Sequence, residues 1–107
     1  MKKKIAIVDD EFDILNVLET FLSRRDAYDI QTYVSPDSAL NGIKDDRFDL
    51  VLLDIMMPTM DGMDMLKLIK EHNPNIKVIM MTAYSTQEKV VECDKIGAND
   101  YVTKPFI

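Results

Sequence analysis

Short apolar runs alternate with helical patterns along the whole of this 107-residue chain. Each run has the length of a buried strand, and each helical pattern repeats its apolar residues every three or four positions. The predicted strands are Lys4–Asp9, Tyr28–Tyr33, Asp49–Leu53, Ile76–Met81 and Asp100–Thr103, and the predicted helices are Glu11–Arg25, one that begins after Ser35, Asp61–His72 and Ser85–Ile96. Strict alternation with short connections predicts a parallel sheet with right-handed crossovers and helices on both faces.

The first helical pattern has the widest apolar face. We expect this face to turn toward the core. Its members are Phe12, Ile14, Leu15, Leu18, Phe21 and Leu22. Polar residues occupy the opposite side, so the segment is typical of a helix that covers a sheet.

Size and charge narrow the possible functions. The chain has the size of one domain, residues 1–107, and no apolar stretch approaches the roughly 20 residues of a membrane span. The net charge of −6 argues against nucleic-acid binding by this domain, because phosphate contacts need a basic surface. The single cysteine, Cys93, excludes an internal disulfide and indicates a structural thiol. We expect a cytoplasmic domain without membrane contact.

Polar residues stand where the predicted strands end. Asp9 and Asp10 close the first strand, Asp54 closes the third, Thr82 closes the fourth and Lys104 follows the last. Each residue alone has an ordinary explanation as a helix cap, a turn residue or a solvated charge. Together they point to one site, because ligands of open parallel sheets bind beyond the carboxyl ends of the strands.

Three carboxylates at one edge repel one another, so the cluster of Asp9, Asp10 and Asp54 indicates a bound cation. Carboxylate oxygens are the ligands that Mg²⁺ prefers. We therefore predict a Mg²⁺ site with one carboxylate acting as a phosphoryl acceptor.

Four segments in order resemble the receiver domain of two-component response regulators, the family of the chemotaxis receiver protein. They are Val8-Asp9-Asp10-Glu11, the segment from Leu53 to Gly62, Met81-Thr82-Ala83, and the segment from Gly97 to Phe106. The resemblance covers essentially the whole chain. It implies a flavodoxin-like, doubly wound, five-stranded sheet of order 2-1-3-4-5. The family's fifth helix is missing from this chain.

The resemblance assigns roles to the acidic cluster. Asp54 matches the phosphoacceptor. Mg²⁺ is implied to bind Asp10, Asp54 and the backbone carbonyl of Met56, with Asp9 acting mostly through a bound water.

It also assigns the residues that respond to the phosphoryl group. Lys104 pairs with a phosphoryl oxygen, aimed by a cis peptide bond between Lys104 and Pro105. Thr82 donates its hydroxyl to another oxygen, and Tyr101 rotates from an exposed to a buried position. The surface that changes is residues 85–103.

The implied function is a signalling switch, activated when Asp54 takes a phosphoryl group from the phosphohistidine of a histidine kinase or a histidine phosphotransfer protein. The next partner is an effector protein or a covalently linked output domain. Without the fifth helix, one sheet face would expose apolar surface, which predicts a homodimer, domain swapping or marginal stability.

Three other functions have weaker support. A phospho-independent interaction module would not need Asp54, Thr82 and Lys104 together. A Mg²⁺-dependent phosphatase with an aspartyl intermediate typically has a second acid two residues after the nucleophile, where this chain has Met56. A nucleotide or flavin binder would need a glycine-rich loop, and the chain has only three glycines.

Overall fold

The computed structural model describes residues 2–57, 60–82 and 87–103, and the side chains of this part except those of residues 87–90. The elements are β1 (Lys3–Val8), α1 (Phe12–Ser23), β2 (Tyr28–Tyr33), α2 (Pro36–Asp45), β3 (Leu50–Asp54), α3 (Gly62–His72), β4 (Lys77–Thr82), α4 (Gln87–Ile96) and β5 (Asp100–Thr103). The predicted alternation is confirmed, and most predicted bounds lie within two residues of the observed ones.

All neighbouring strands are parallel, and their order in the sheet is β2-β1-β3-β4-β5. This is the doubly wound order that the resemblance implied. Four helices lie in the described part of the chain, and no helix follows β5 there. The fifth helix of the family is not among these described elements.

Alternate residues of β1 belong to two apolar clusters, one on each face of the sheet. Ala6 and Val8 belong to the larger cluster, which the buried residues of α2, α3 and α4 complete. Ile5 and Ile7 belong to the smaller cluster, which contains α1. The central strands read as continuous apolar runs because both of their faces are covered.

The wide apolar face predicted for α1 is wrong at two positions. Phe12 and Phe21 are 67% and 61% exposed, and Leu15 is the only buried residue of the helix. Leu18 and Leu22 are half-buried against the smaller cluster. In the described part of the chain, α1 is the only helix in this cluster, so residues beside its central stripe meet no neighbouring helix. Self-association through this face remains a prediction.

Local signals set the ends of the helices. The Ser35 side chain accepts a hydrogen bond of 3.2 Å from the Ser38 N–H, with Pro36 at the first helical position, and Asp61 accepts one of 2.9 Å from the Met63 N–H. Gly97 follows α4 with φ +116°, the left-handed conformation that ends many helices. The cap predicted at Ser85 lies outside the described residues.

Gly62 begins α3 at a close approach to the end of β3. A Cβ atom at this position would lie 2.5 Å from the Asp54 carbonyl oxygen and 2.5 Å from the Ile55 Cα. The Gly62 N–H also donates a 2.7 Å hydrogen bond to the Ile55 carbonyl oxygen. Both obstacles are backbone atoms, so the loop after Asp54 needs glycine here.

We expect Gly62→Ala to lower the free energy of unfolding by about 2–3 kcal/mol, because the added methyl group displaces backbone. Urea unfolding followed by circular dichroism measures this loss. Lys67→Ala, at an exposed position of the same helix, is the matched control and should change stability by about 0.5 kcal/mol or less. A Gly62→Ala variant as stable as the control would contradict the close approach.

Candidate functional site

Strand register brings two acidic side chains together. Val8 pairs with Leu53 across β1 and β3, and Asp9 and Asp54 each follow directly in the sequence. Both aspartates are buried, with 0% and 3% of their surface exposed. Neighbouring strands lie about 4.8 Å apart, so the two carboxylates occupy adjacent positions at one edge of the sheet.

Asp10 completes a cluster of three carboxylates. Each of Asp9, Asp10 and Asp54 offers an oxygen, and these oxygens lie within 4.8 Å of one another. Ligand oxygens around Mg²⁺ lie about 2.1 Å from the ion, and thus about 3–4 Å from each other. Asp10 is exposed, so the cluster is open to solvent on one side. The three carboxylates therefore offer the oxygen ligands that a hard divalent cation prefers, at separations slightly longer than those of a closed Mg²⁺ shell.

Backbone N–H groups orient the two buried carboxylates. Asp9 Oδ1 accepts a 2.9 Å hydrogen bond from the Glu11 N–H, and Asp54 Oδ1 accepts one of 3.3 Å from the Met56 N–H. Both hydrogen bonds are local, each joining a side chain to the backbone two residues later. They also tie each side chain to the loop that follows its own strand.

The loop after Asp54 is fixed on both sides. The Ile55 N–H donates a 2.9 Å hydrogen bond to the Met81 carbonyl oxygen, which extends the pairing of β3 with β4. Met56 forms an isolated antiparallel bridge with Asp61. The Met56 side chain is 57% exposed beside the cluster. The metal contact of its carbonyl oxygen remains a prediction.

Thr82 ends β4 at the acidic edge of the sheet. It comes directly after Met81, the pairing partner of Asp54, and it is 1% exposed. Thr82 itself pairs with Thr103, the last residue of β5. Lys104 and the predicted cis bond to Pro105 lie outside the described residues, so only their place in the sequence is known.

Tyr101 lies inward on β5. The residue is half-buried, and its hydroxyl oxygen is buried without a hydrogen-bond partner among the described residues. Burial raises the pKa of the Tyr101 hydroxyl, and the nearby Cys93 thiol raises this pKa further. Cys93 is buried, with its Sγ 3.4 Å from Met63 Sδ, as expected for a thiol that packs in the core.

A polar cluster at the other end of β4 escaped the sequence analysis. Lys70 Nζ donates hydrogen bonds to the Ile76 carbonyl oxygen, at 2.6 Å, and to Asn99 Oδ1, at 3.0 Å. A lysine in the last turn of a helix is ordinary, because it complements the helix dipole. The sequence signal was therefore too weak to single out Lys70.

Comparisons with known proteins agree with this geometry. The family described as "Response regulator receiver domain" matches residues 5–107. This chain belongs to the response regulator receiver domain family. Receiver domains are the signalling switches of two-component systems.

Two curated relatives and one solved structure show the extent of the similarity. The transcriptional regulatory protein ZraR of Escherichia coli K12 is 44% identical over 102 residues, which are 95% of this chain and 23% of that protein. The alkaline phosphatase synthesis transcriptional regulatory protein PhoP of Bacillus subtilis is 36% identical over 106 residues, which are 99% of this chain and 44% of that protein. This chain therefore spans less than half of either relative.

The structural match is a CheY-like response regulator receiver domain protein from Methanospirillum hungatei. Its TM-score is 0.93 at 32% sequence identity, with 100% of this chain and 85% of that chain covered. Among the described residues, every helix is too short or too polar to cross a membrane.

We expect Asp10→Asn to weaken Mg²⁺ binding and to stabilise the metal-free receiver domain. Removing one of three clustered charges relieves a repulsion of about 1 kcal/mol at a solvent-exposed position. At a Mg²⁺ concentration of 100 times the Kd, the wild-type domain should gain about 2.7 kcal/mol, and most of this gain should be lost in the variant. Thermal unfolding with and without MgCl₂ measures both effects.

Asp13→Asn is the control, because Asp13 is also exposed in the first turn of α1 but lies outside the cluster. It should keep the wild-type response to Mg²⁺. An equal response in Asp10→Asn and wild type would count against the cation site.

Proposed function

We propose that this receiver domain is a switch activated by Mg²⁺-dependent phosphorylation of Asp54. The phosphoryl donor is the phosphohistidine of a histidine kinase or of a histidine phosphotransfer protein. The observation that carries the proposal is the convergence of Asp9, Asp10 and Asp54 to within 4.8 Å at the carboxyl ends of β1 and β3. Membership in the receiver family supports the choice of reaction.

The reaction is a transfer between a nitrogen and an oxygen. An oxygen of the Asp54 carboxylate attacks the phosphorus, the phosphorus–nitrogen bond of the phosphohistidine breaks, and the imidazole keeps the bonding electron pair. The product is an acyl phosphate on Asp54. Bound Mg²⁺ would supply charge neutralisation between Asp54 and the incoming phosphoryl oxygens.

The chain's own residues prepare Asp54 for this step. Its carboxylate accepts a hydrogen bond from the Met56 N–H. The register of β1 and β3 brings Asp9 to the adjacent position, and we assign Asp9 to the cation. Asp10 lies on the exposed side of the cluster, and we assign it and the Met56 carbonyl oxygen to the metal as well. Lys104, which follows β5, is assigned to a phosphoryl oxygen.

Thr82 and Tyr101 are the proposed switch residues. The Thr82 hydroxyl would donate a hydrogen bond to a phosphoryl oxygen that exists only after transfer. Because Thr82 pairs with Thr103, a shift of Thr82 acts directly on β5, which also carries Tyr101. A contact made only in the modified state shifts the population toward the conformation that permits it. The affected surface is residues 85–103.

A conventional turnover enzyme is a weaker alternative. The residue two positions after Asp54 is Met56, whose exposed side chain offers no acid to a phosphatase reaction. We therefore assign the domain the role of a phosphoacceptor that assists its own modification.

Two exposed apolar side chains lie close in the sequence to the residues of the acidic cluster. Phe12 follows the Asp9-Asp10-Glu11 segment and is 67% exposed, and Met56 is 57% exposed. Transfer from another protein requires contact around the acceptor, and exposed aromatic residues contribute strongly to such contacts. We assign Phe12 and Met56 to the docking of the phosphohistidine protein.

The next partner in the signalling pathway is proposed from the relatives of this chain. ZraR and PhoP are transcriptional regulators much longer than their match to this chain, so we propose an output domain or a separate effector as the next partner. The net charge of −6 supports a receiver domain that does not itself contact nucleic acid. We also propose a cytoplasmic location without membrane contact. We further propose that the chain forms a homodimer.

Incubation with acetyl phosphate and MgCl₂ should add one phosphoryl group to the wild-type domain, and Asp54→Asn should add none. Intact-mass analysis over time measures the modification and its slow hydrolysis. EDTA should prevent the modification, because the acceptor would face the donor without a cation. Many turnovers of the donor without a stable adduct would favour the phosphatase reaction instead.

Phe12→Ser should separate docking from chemistry. We expect it to slow phosphoryl transfer from a phosphorylated histidine kinase by about tenfold or more, the effect of losing one aromatic contact. The rate with acetyl phosphate should stay within about twofold of wild type, because the small donor needs no docking surface. Phe21→Ser, at an equally exposed site farther along α1, is the control. Equal loss with both donors would contradict the docking role.

A further inference from the structure

The register of β5 has little support from its own side chains. β5 is an edge strand of four residues, and three of these are exposed while Tyr101 is half-buried. Register is weakly specified where neither face is well buried. A slip of one residue would move the strand by about 3.3 Å and exchange its two faces. The pairing of Thr103 with Thr82 at the end of the strand would then be lost.

A reciprocal pair of hydrogen bonds fixes the residue before β5. The Asn99 N–H donates to the Val78 carbonyl oxygen at 2.8 Å, and the Val78 N–H donates to Asn99 Oδ1 at 2.9 Å. Both backbone polar groups of Val78 are therefore bound to one residue. A register slip would break both hydrogen bonds at once.

Lys70, on α3, stabilises this pair of hydrogen bonds by a further contact with Asn99. Its ammonium donates to Asn99 Oδ1 at 3.0 Å, so this oxygen accepts two hydrogen bonds and the orientation of the amide is set. The second bond, to the Ile76 carbonyl oxygen at 2.6 Å, ties the same ammonium to the residue before β4. Hydrogen bonds from a charged donor are stronger than neutral ones.

The surroundings of Lys70 distinguish it from an ordinary surface lysine. Burial lowers the pKa of the Lys70 ammonium, and repulsion from Lys77 lowers this pKa further. No carboxylate among the described side chains forms an ion pair with Lys70. The ammonium is thus partly removed from water in order to bind two neutral oxygens. Its stem packs beside Gly97, where an added Cβ would lie 3.7 Å from Lys70 Cγ.

We propose that Lys70 and Asn99 are positioning residues that fix the register of β5, and thereby the inward face of Tyr101 and the pairing of Thr103, the residue before Lys104, with Thr82. The part of the inference that concerns phosphorylation rests on the proposed function. Neither residue reaches the acidic cluster, because Asn99 precedes β5 and lies four residues, or about 13 Å, from Thr103 at the other end of that strand. They act through the strand alone.

The test compares Lys70→Met and Asn99→Ala with variants that keep the contacts. Asn99→Asp keeps an oxygen for the Val78 N–H and for Lys70, and Lys70→Arg keeps a charged donor. Lys67→Met removes a lysine from the same helix at an exposed position, with no hydrogen bond to the α4–β5 turn in the described structure. All variants are studied at a temperature where circular dichroism shows them folded.

Three readouts separate positioning from stability. Amide hydrogen exchange and the Thr82–Thr103 contact in NMR spectra report the register of β5 in the unmodified domain. Mg²⁺ titration reports the cluster on β1 and β3. The phosphorylation rate with acetyl phosphate reports whether the end of β5, which Lys104 follows in the sequence, is correctly positioned.

We expect Lys70→Met and Asn99→Ala to increase exchange in β5 and to slow phosphorylation by about tenfold, as for the loss of one charge-assisted hydrogen bond. The Mg²⁺ affinity should stay within about twofold of wild type, because β1 and β3 are untouched. Asn99→Asp and Lys70→Arg should restore most of the rate. A general loss of stability would not produce this separation between metal binding and transfer.

The proposal is overturned if Lys70→Met and Asn99→Ala leave β5 exchange and the phosphorylation rate unchanged, or if Lys67→Met matches Lys70→Met. If Lys70→Met does not fold, Asn99→Ala with its Asp rescue decides the question. If the wild-type domain takes no phosphoryl group, the proposed function fails. Hydrogen exchange and the Thr82–Thr103 contact in NMR spectra still test whether Lys70 and Asn99 fix the register of β5.

Discussion

The pairing of β1 with β3 is the constraint on which the site depends. It is a parallel register of four residue pairs, and apolar residues of both strands are buried on both faces of the sheet. A slip in this register would turn whole rows of core side chains to the wrong face. The core therefore forces Asp9 and Asp54 into adjacent, buried positions, where two carboxylates would otherwise avoid each other. The site is built at a local cost in stability, as functional sites commonly are.

The loops that leave these strands reduce that cost. Each buried carboxylate accepts a hydrogen bond from the N–H group two residues later, so the start of the loop is shaped by the acid itself. After Asp54, the chain must also turn back sharply, since Gly62 touches the backbone of Asp54 and Ile55. Asp54 thus lies between its own strand and the first turn of α3.

Sequence reasoning succeeded where local pattern and topology agree. Alternating strands and helices predicted the parallel sheet, and a parallel sheet brings the carboxyl ends of its strands to one edge, which located Asp9, Asp10 and Asp54 together. It failed for α1 because periodicity identifies apolar residues but not the elements that will cover them. Phe12 and Phe21 fit a helical face, yet no neighbouring helix of the described chain packs over them.

The contact between Lys70 and Asn99 was beyond prediction for a different reason. The two residues lie 29 positions apart, and their meeting depends on how α3, β4 and the α4–β5 turn fit together. Both residue types are also common at helix ends and turns, where they need no special explanation.

The start of β5 is bonded to the backbone of Val78, whereas its end pairs with the residue assigned to sense the phosphoryl group. At one end, Asn99 binds both backbone polar groups of Val78, so the strand cannot slide. At the other end, Thr103 pairs with Thr82, the residue assigned to sense the phosphoryl group. A displacement of Thr82 can then move β5 only by tilting it about its fixed start or by turning side chains such as Tyr101.

Because the Tyr101 hydroxyl is buried without a hydrogen-bond partner in the described structure, its inward position is held by packing alone. Such a side chain reorients at a small difference in free energy, which suits a strand that is fixed at one end and free to respond at the other.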